Sequence, residues 1–286
     1  MEGQLEQLDP LDSRHFLIAV KRLANDLSYG TDSSPFRGSG VEYVQSRLYQ
    51  TGDPVRAIDW RVTARTRKVF IKEYESPKRM PVYLLIDTSA SMTVSSVSRS
   101  KYATALHIAG GLALACLERI SPVGVVGVGQ RDFRVRPGLS RHQILQWLLL
   151  LRRFRYDEST SLARRLAEIT PTLRHRVLMI VLSDLHDDGA LPALKRLVQL
   201  HDAAVLQLRD PAEDGLRGGG LVRAREAETG REFVTPGRRR HLDQALLEQD
   251  LKRSGIDHLL IRTNLPFVHA LRHFLANRGL LGRGAR

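Results

Sequence analysis

The sequence has very little cysteine and no long apolar run. Cys116 is its one cysteine, which excludes an intramolecular disulfide and a zinc site built from several thiolates. Cys116 lies in an apolar stretch and is expected to pack as a small core residue. The longest apolar runs, I-L-Q-W-L-L-L-L and V-L-M-I-V-L, are far shorter than the ~20 residues that a membrane span needs. The first ten residues lack the pattern of a signal peptide, so we expect a cytoplasmic protein.

Acidic residues are outnumbered by basic ones, and the excess is spread along the chain. The formal net charge is +13, from 44 Lys and Arg against 31 Asp and Glu. One short cluster stands at Arg238–Arg240. A diffuse positive charge favours acidic partners or anionic surfaces in general, and a solvated basic surface accounts for it equally well.

The pattern of apolar segments changes near residue 81. Before it, short strand-like and loop-like stretches predict a small α+β segment over residues 1–80. After it, continuous apolar strands alternate with helices, which predicts an α/β domain over 81–286 with a mostly parallel central sheet covered on both faces. A hairpin insertion is expected near 221–234. Ligands of such sheets bind beyond the carboxyl ends of the strands, where Asp87 and Asp184 are predicted to lie.

A set of side-chain oxygens follows these predicted strands. The first strand runs into D-T-S-A-S, which supplies Asp87, Ser89 and Ser91; Thr160 opens a later helix, and Asp184 ends a later strand. Carboxylate and hydroxyl oxygens suit a hard cation, Mg²⁺ or another divalent ion such as Mn²⁺. The alternative is that the two serines only cap the turn after the strand and Asp87 is an ordinary strand-end acid.

This pattern resembles the metal-ion-dependent adhesion site of von Willebrand factor A domains, which have a Rossmann-like fold. The resemblance implies that Ser89, Ser91 and Thr160 face the metal, and that Asp87 and Asp184 hold it directly or through water. The segment around Thr160 reads E-S-T-S where the family frequently has G-G-T. In such a site one coordination position stays open for a carboxylate of a partner.

The segment before residue 81 carries a second signature. It reads G-D-P-V-R-A-I-D-W-R-V-T-A-R from Gly52, in which Arg56 and Asp59 could pair and Trp60 could anchor the segment in a core. With D-x-S-x-S downstream, it resembles the family called domain of unknown function 58. That resemblance implies an adaptor, not an enzyme, which works with a MoxR-type AAA+ ATPase and an unidentified client in protein maturation or chaperone-like assembly.

Two other functions compete with this interpretation. A hydrolase could use Asp87 as a nucleophile, but Ser89 stands where haloacid-dehalogenase-type enzymes carry a second aspartate. Neither G-x-S-x-G nor a P-loop is present. A nucleic-acid-binding protein would fit the net charge, although no residue-level motif of such modules is found.

Overall fold

A computed structural model describes residues 2–4, 42–50, 55, 58–75, 81–118, 121–155, 158–215, 220–225, 227, 230–236 and 243–277. The chain divides into a large unit, residues 1–31 with 80–281, and a small unit, residues 32–79 with 282–286. Arg56 and the cluster Arg238–Arg240 lie outside the described residues.

Twelve strands and seven α-helices make up the regular structure of the described residues. The strands are β1 (Glu2–Gln4), β2 (Glu42–Leu48), β3 (Phe70–Glu75), β4 (Val82–Ile86), β5 (Val123–Gly127), β6 (Arg134–Gly138), β7 (Arg153–Arg155), β8 (Leu178–Ser183), β9 (Asp202–Arg209), β10 (Leu221–Arg225), β11 (Glu232–Pro236) and β12 (Asp257–Arg262). The helices are α1 (Trp60–Thr66), α2 (Lys101–Glu118), α3 (Arg141–Leu151), α4 (Leu162–Ile169), α5 (Ala190–Leu197), α6 (Gln244–Arg253) and α7 (Val268–Asn277). None of these helices combines the length and the apolar character that crossing a bilayer would take.

The large unit is built on a six-stranded sheet in the order β12-β9-β8-β4-β5-β6. The first five strands of this order are parallel, and β6 is an antiparallel edge strand. The predicted mixed α/β architecture with a mostly parallel sheet is therefore confirmed. The chain runs outward from β4 through β5 on one side and through β8 on the other. The carboxyl ends of β4 and β8 thus meet where the strand order reverses, the place at which such sheets bind ligands.

Both faces of the sheet are covered by helices. Successive side chains of a strand point to opposite faces, so Leu84 packs in the cluster that contains α2 and α3, and Leu85 packs in the cluster that contains α4 and α5. Because neither face of the central strands meets water, these strands read as continuous apolar runs. Cys116 is buried in the first cluster, as its apolar surroundings predicted.

The small unit pairs β2 with β3 in antiparallel fashion and carries the short helix α1. Asp59 is buried and caps α1: its Oδ1 accepts from the backbone N–H groups of Arg61 and Val62, at 3.1 and 3.2 Å. Its Oδ2 accepts from the Ser46 hydroxyl at 2.7 Å, which ties the cap to β2. Asp59 thus serves as an N-cap.

The expected role of Trp60 as a core anchor is wrong. Its side chain is 67% exposed, because it is the first residue of a seven-residue helix that has no buried residue at all. Ile71 on β3 is buried instead, with 4% exposure. The dense signature around Trp60 therefore reflects helix capping and an exposed aromatic residue.

Candidate metal centre

Asp87 follows β4 directly and is completely buried. Its backbone N–H donates to the carbonyl of Leu182 at 2.9 Å, which continues the pairing of β4 with β8 by one residue. One carboxylate oxygen accepts from the backbone N–H of Ser89 at 3.0 Å, and the other accepts from the Ser183 hydroxyl at 2.6 Å. These contacts fix the carboxylate at the end of two adjacent strands.

One turn of 3₁₀ helix, Ala90–Thr93, brings the side chains of Ser89 and Ser91 together. Their hydroxyl oxygens lie 3.0 Å apart. Ser89 is fully buried, whereas Ser91 is partly exposed. The two hydroxyls therefore form a pair of neutral oxygens that could ligate a cation, and the site is open to solvent on the side of Ser91.

Asp184 follows β8 and is also buried, with 1% exposure. Its Oδ2 accepts from the Lys101 ammonium at 2.7 Å, and its Oδ1 accepts from the backbone N–H of His186 at 3.3 Å. The next residue, Leu185, has a φ of 60°, which is rare for a residue with a branched side chain. This strained turn lets the chain leave the sheet immediately after Asp184.

The environments of the two buried carboxyls shift their pKa values in opposite directions. Burial and the nearby charge of Asp184 raise the pKa of Asp87 to about 7, although hydrogen bonds from Ser183 and Ser89 act in the opposite direction. Burial alone would also raise the pKa of Asp184, but the charges of Lys101 and His186 and hydrogen bonds from Lys101 and Ser91 lower it overall. The ionised form of Asp184 is therefore favoured, and ionisation of Asp87 beside it is disfavoured.

The segment that carries Thr160 lies against the Asp87 loop. The backbone carbonyl of Glu158 accepts from the Ala90 N–H at 2.6 Å, and its buried carboxylate accepts from the Thr88 hydroxyl at 2.8 Å. Arg131 donates to the same carboxylate through its backbone N–H at 3.0 Å and its Nε at 2.6 Å. Thr160 itself forms a backbone bridge with Gly129, just beyond β5. These contacts place the segment that carries Thr160 next to the loop of Asp87, Ser89 and Ser91.

Sequence reasoning missed two charged residues beside Asp184, Lys101 and Glu213. Lys101 is almost fully buried at the first position of α2 and donates to both Asp184 and Glu213. His186 lies with Nδ1 3.9 Å from Asp184 Oδ2 and with Nε2 3.6 Å from Glu213 Oε2. Possible ligand atoms of Asp184, His186 and Glu213 all lie within 4.8 Å of one another. The available signal was a lysine opening an otherwise apolar helix, where the helix dipole disfavours a cation.

The donor set fits a hard dication. Asp87, Asp184, Ser89 and Ser91 offer only oxygens, which Mg²⁺ and Mn²⁺ prefer. The repulsion that raises the pKa of Asp87 would be relieved by a cation between the two carboxylates.

The chain belongs to a family described as protein of unknown function DUF58, which matches residues 45–251. Uncharacterized proteins of Mycobacterium bovis and of two strains of Mycobacterium tuberculosis are similar to it. Each is 24% identical over 277 residues, which cover 91% of this chain and 87% of the relative. The similarity thus spans both units and includes the loops that carry Asp87 and Asp184.

Proposed function

We propose that the large unit is a von Willebrand factor A-type domain that binds protein partners through a divalent metal ion. Asp87, Ser89, Ser91, Thr160 and Asp184 would hold Mg²⁺, or another divalent ion such as Mn²⁺. The single observation that carries this proposal is the meeting of two buried carboxylates and two serine hydroxyls at the reversal point of the strand order.

The chemistry of partner binding follows from the charge of the site. Two carboxylates balance a dication, and the neutral serine hydroxyls leave it electrophilic. A carboxylate from a partner would then gain a direct bond to the metal, which is stronger than an exposed ion pair in water. We therefore infer that the partner presents an Asp or Glu side chain to the open side near Ser91.

The contacts of Asp87 favour this role over catalysis. A nucleophilic carboxylate needs an oxygen that can reach a substrate, whereas Asp87 is completely buried and both its oxygens already accept hydrogen bonds. Such an environment orients a ligand well. The nucleic-acid alternative depends on net charge alone, since the Arg238–Arg240 cluster lies outside the described residues.

For the partner we propose a MoxR-type AAA+ ATPase, with this chain as the adaptor that presents a client protein. The basis is the resemblance carried by residues 52–65 and 87–91, together with a site suited to capturing an acidic side chain. The client would be bound by the adaptor or handed to the ATPase.

Calorimetry with the purified ATPase tests the proposal. Chelators would also strip the nucleotide site of the ATPase, so the experiment depends on matched variants of this chain. Asp87→Asn and Ser89→Ala should abolish binding in constant Mg²⁺, while Asp188→Asn, an exposed acid beyond β8, should bind as the wild type does. Equal affinity of wild type and Asp87→Asn would refute the metal-dependent contact. Binding that instead falls steeply with salt for a DNA or RNA probe would favour the nucleic-acid alternative.

A further inference from the structure

Lys101 is an unusual component of a candidate metal site. Its side chain is 2% exposed, and its ammonium group donates to Asp184 at 2.7 Å and also to Glu213. The ammonium lies between two carboxylates, one of them a proposed metal ligand. The Lys101 ammonium therefore already contacts the carboxylate of Asp184, which the proposed metal ion would need as a ligand.

We propose that Lys101 is a resident counter-ion of this site and competes with the divalent cation for Asp184. This inference rests on the proposed metal site and adds a control of its affinity. An ammonium in contact with a ligand carboxylate repels an incoming dication, and this repulsion is strong in a buried site. The same ammonium keeps Asp184 ionised and compensated when no metal is bound.

Glu213 provides the lysine with a second partner. It stands on a short 3₁₀ helix, Pro211–Asp214, whose N-cap is Asp210. Asp210 also accepts from the backbone N–H of Ser96 at 2.8 Å and from the Ser96 hydroxyl, which ties this helix to the loop after the D-x-S-x-S motif. Lys101 can thus remain paired with Glu213 while Asp184 turns to the metal.

The first test compares Mg²⁺ binding by wild type and Lys101→Met in calorimetry and in thermal melting with and without Mg²⁺. Removing the competing charge should tighten Mg²⁺ binding at least about tenfold and make the melting temperature strongly dependent on Mg²⁺. Lys101→Arg keeps the charge and should not tighten binding. A Lys101→Met protein that folds only with Mg²⁺ also supports the inference. Affinity that is unchanged or weaker in Lys101→Met overturns it.

A second variant covers the case in which Lys101→Met does not fold at all. Glu213→Gln removes one of the two carboxylates that pair with Lys101, so the ammonium pairs with Asp184 alone. This change should weaken Mg²⁺ binding at least about fivefold. Asp214→Asn removes the same charge from the same 3₁₀ helix, but Asp214 pairs with Arg209 and Arg262, so a smaller effect is expected. Equal effects of the two variants overturn the inference.

A double variant separates competition from direct ligation by Glu213. When Lys101→Met folds, adding Glu213→Gln should then change Mg²⁺ affinity little, because there is no ammonium to redirect. A full loss in that background would instead make Glu213 a metal ligand and overturn the inference. If wild type binds Mg²⁺ through Asp87 and Lys101→Met does not bind it more tightly, the inference fails and the metal site stands. If neither protein binds Mg²⁺, the metal site itself fails.

Discussion

Replacing Asp87 with asparagine should stabilise the metal-free protein, and the gain should grow with pH. The side chain keeps its shape, Oδ1 can still accept from the Ser89 N–H, and the amide can donate to the Ser183 hydroxyl. What the substitution removes is the need to ionise a buried carboxyl beside Asp184. Because the folded-state pKa of Asp87 is about 7, against an ordinary value of 3.8, ionisation opposes folding.

The sign and size of the effect follow from proton linkage. A carboxyl with a raised folded-state pKa contributes fully to stability below pH 3.8, and that contribution is lost as the pH rises through about 7. The gain from Asp87→Asn should therefore be below about 1 kcal/mol at pH 4, about 3 kcal/mol at pH 6 and about 4 kcal/mol at pH 8 and above.

Urea unfolding in EDTA at pH 4, 6 and 8 measures these differences directly. Asp188→Asn is the control, since it removes an exposed acid from the loop after β8 and leaves Asp87 unchanged. A difference between Asp87→Asn and wild type that stays constant from pH 4 to pH 8 would refute the reasoning. It would mean that Asp87 ionises normally in the folded protein.

Three further predictions follow from the same contacts. Mg²⁺ binding should tighten about tenfold per pH unit from pH 5 to 7 and level off above pH 7, because Asp87 must lose its proton before it can bind the metal. Calorimetry in two buffers of different ionisation heat should show this proton release, and equal binding heats in the two buffers would contradict it. Gly129→Ala should destabilise the protein by about 1–3 kcal/mol in urea unfolding, since the new Cβ would lie 2.1 Å from Glu158 Oε1 and 2.3 Å from Thr88 Oγ1. An unfolding midpoint equal to that of wild type would show that the Glu158 side chain moves aside at little cost. Trp60→Ala should change stability by less than about 1 kcal/mol because the side chain is 67% exposed, and a loss of several kcal/mol would show that it is covered.

The sequence alone determined the class of the fold and the positions of the acids. Periodicity and the length of apolar runs depend on whether a strand is covered on both faces, so β4 and β8 were recognisable without coordinates. Their ends placed Asp87 and Asp184 at one edge of the sheet, and the structure brings them close enough that the charge of Asp184 raises the pKa of Asp87. Short-range motifs are readable because neighbouring residues determine their geometry.

Only the tertiary structure decided which distant groups join that edge. Lys101 lies 83 residues from Asp184 and 112 from Glu213, and Glu158 lies 70 residues from Thr88. No local pattern distinguishes these three residues from surface charges. The exposure of Trp60 also depended on packing, since an aromatic residue in a dense signature is equally compatible with a core and with a surface. Sequence periodicity reports which face of an element is apolar, but the pairing of buried charges is set by how separate elements pack together.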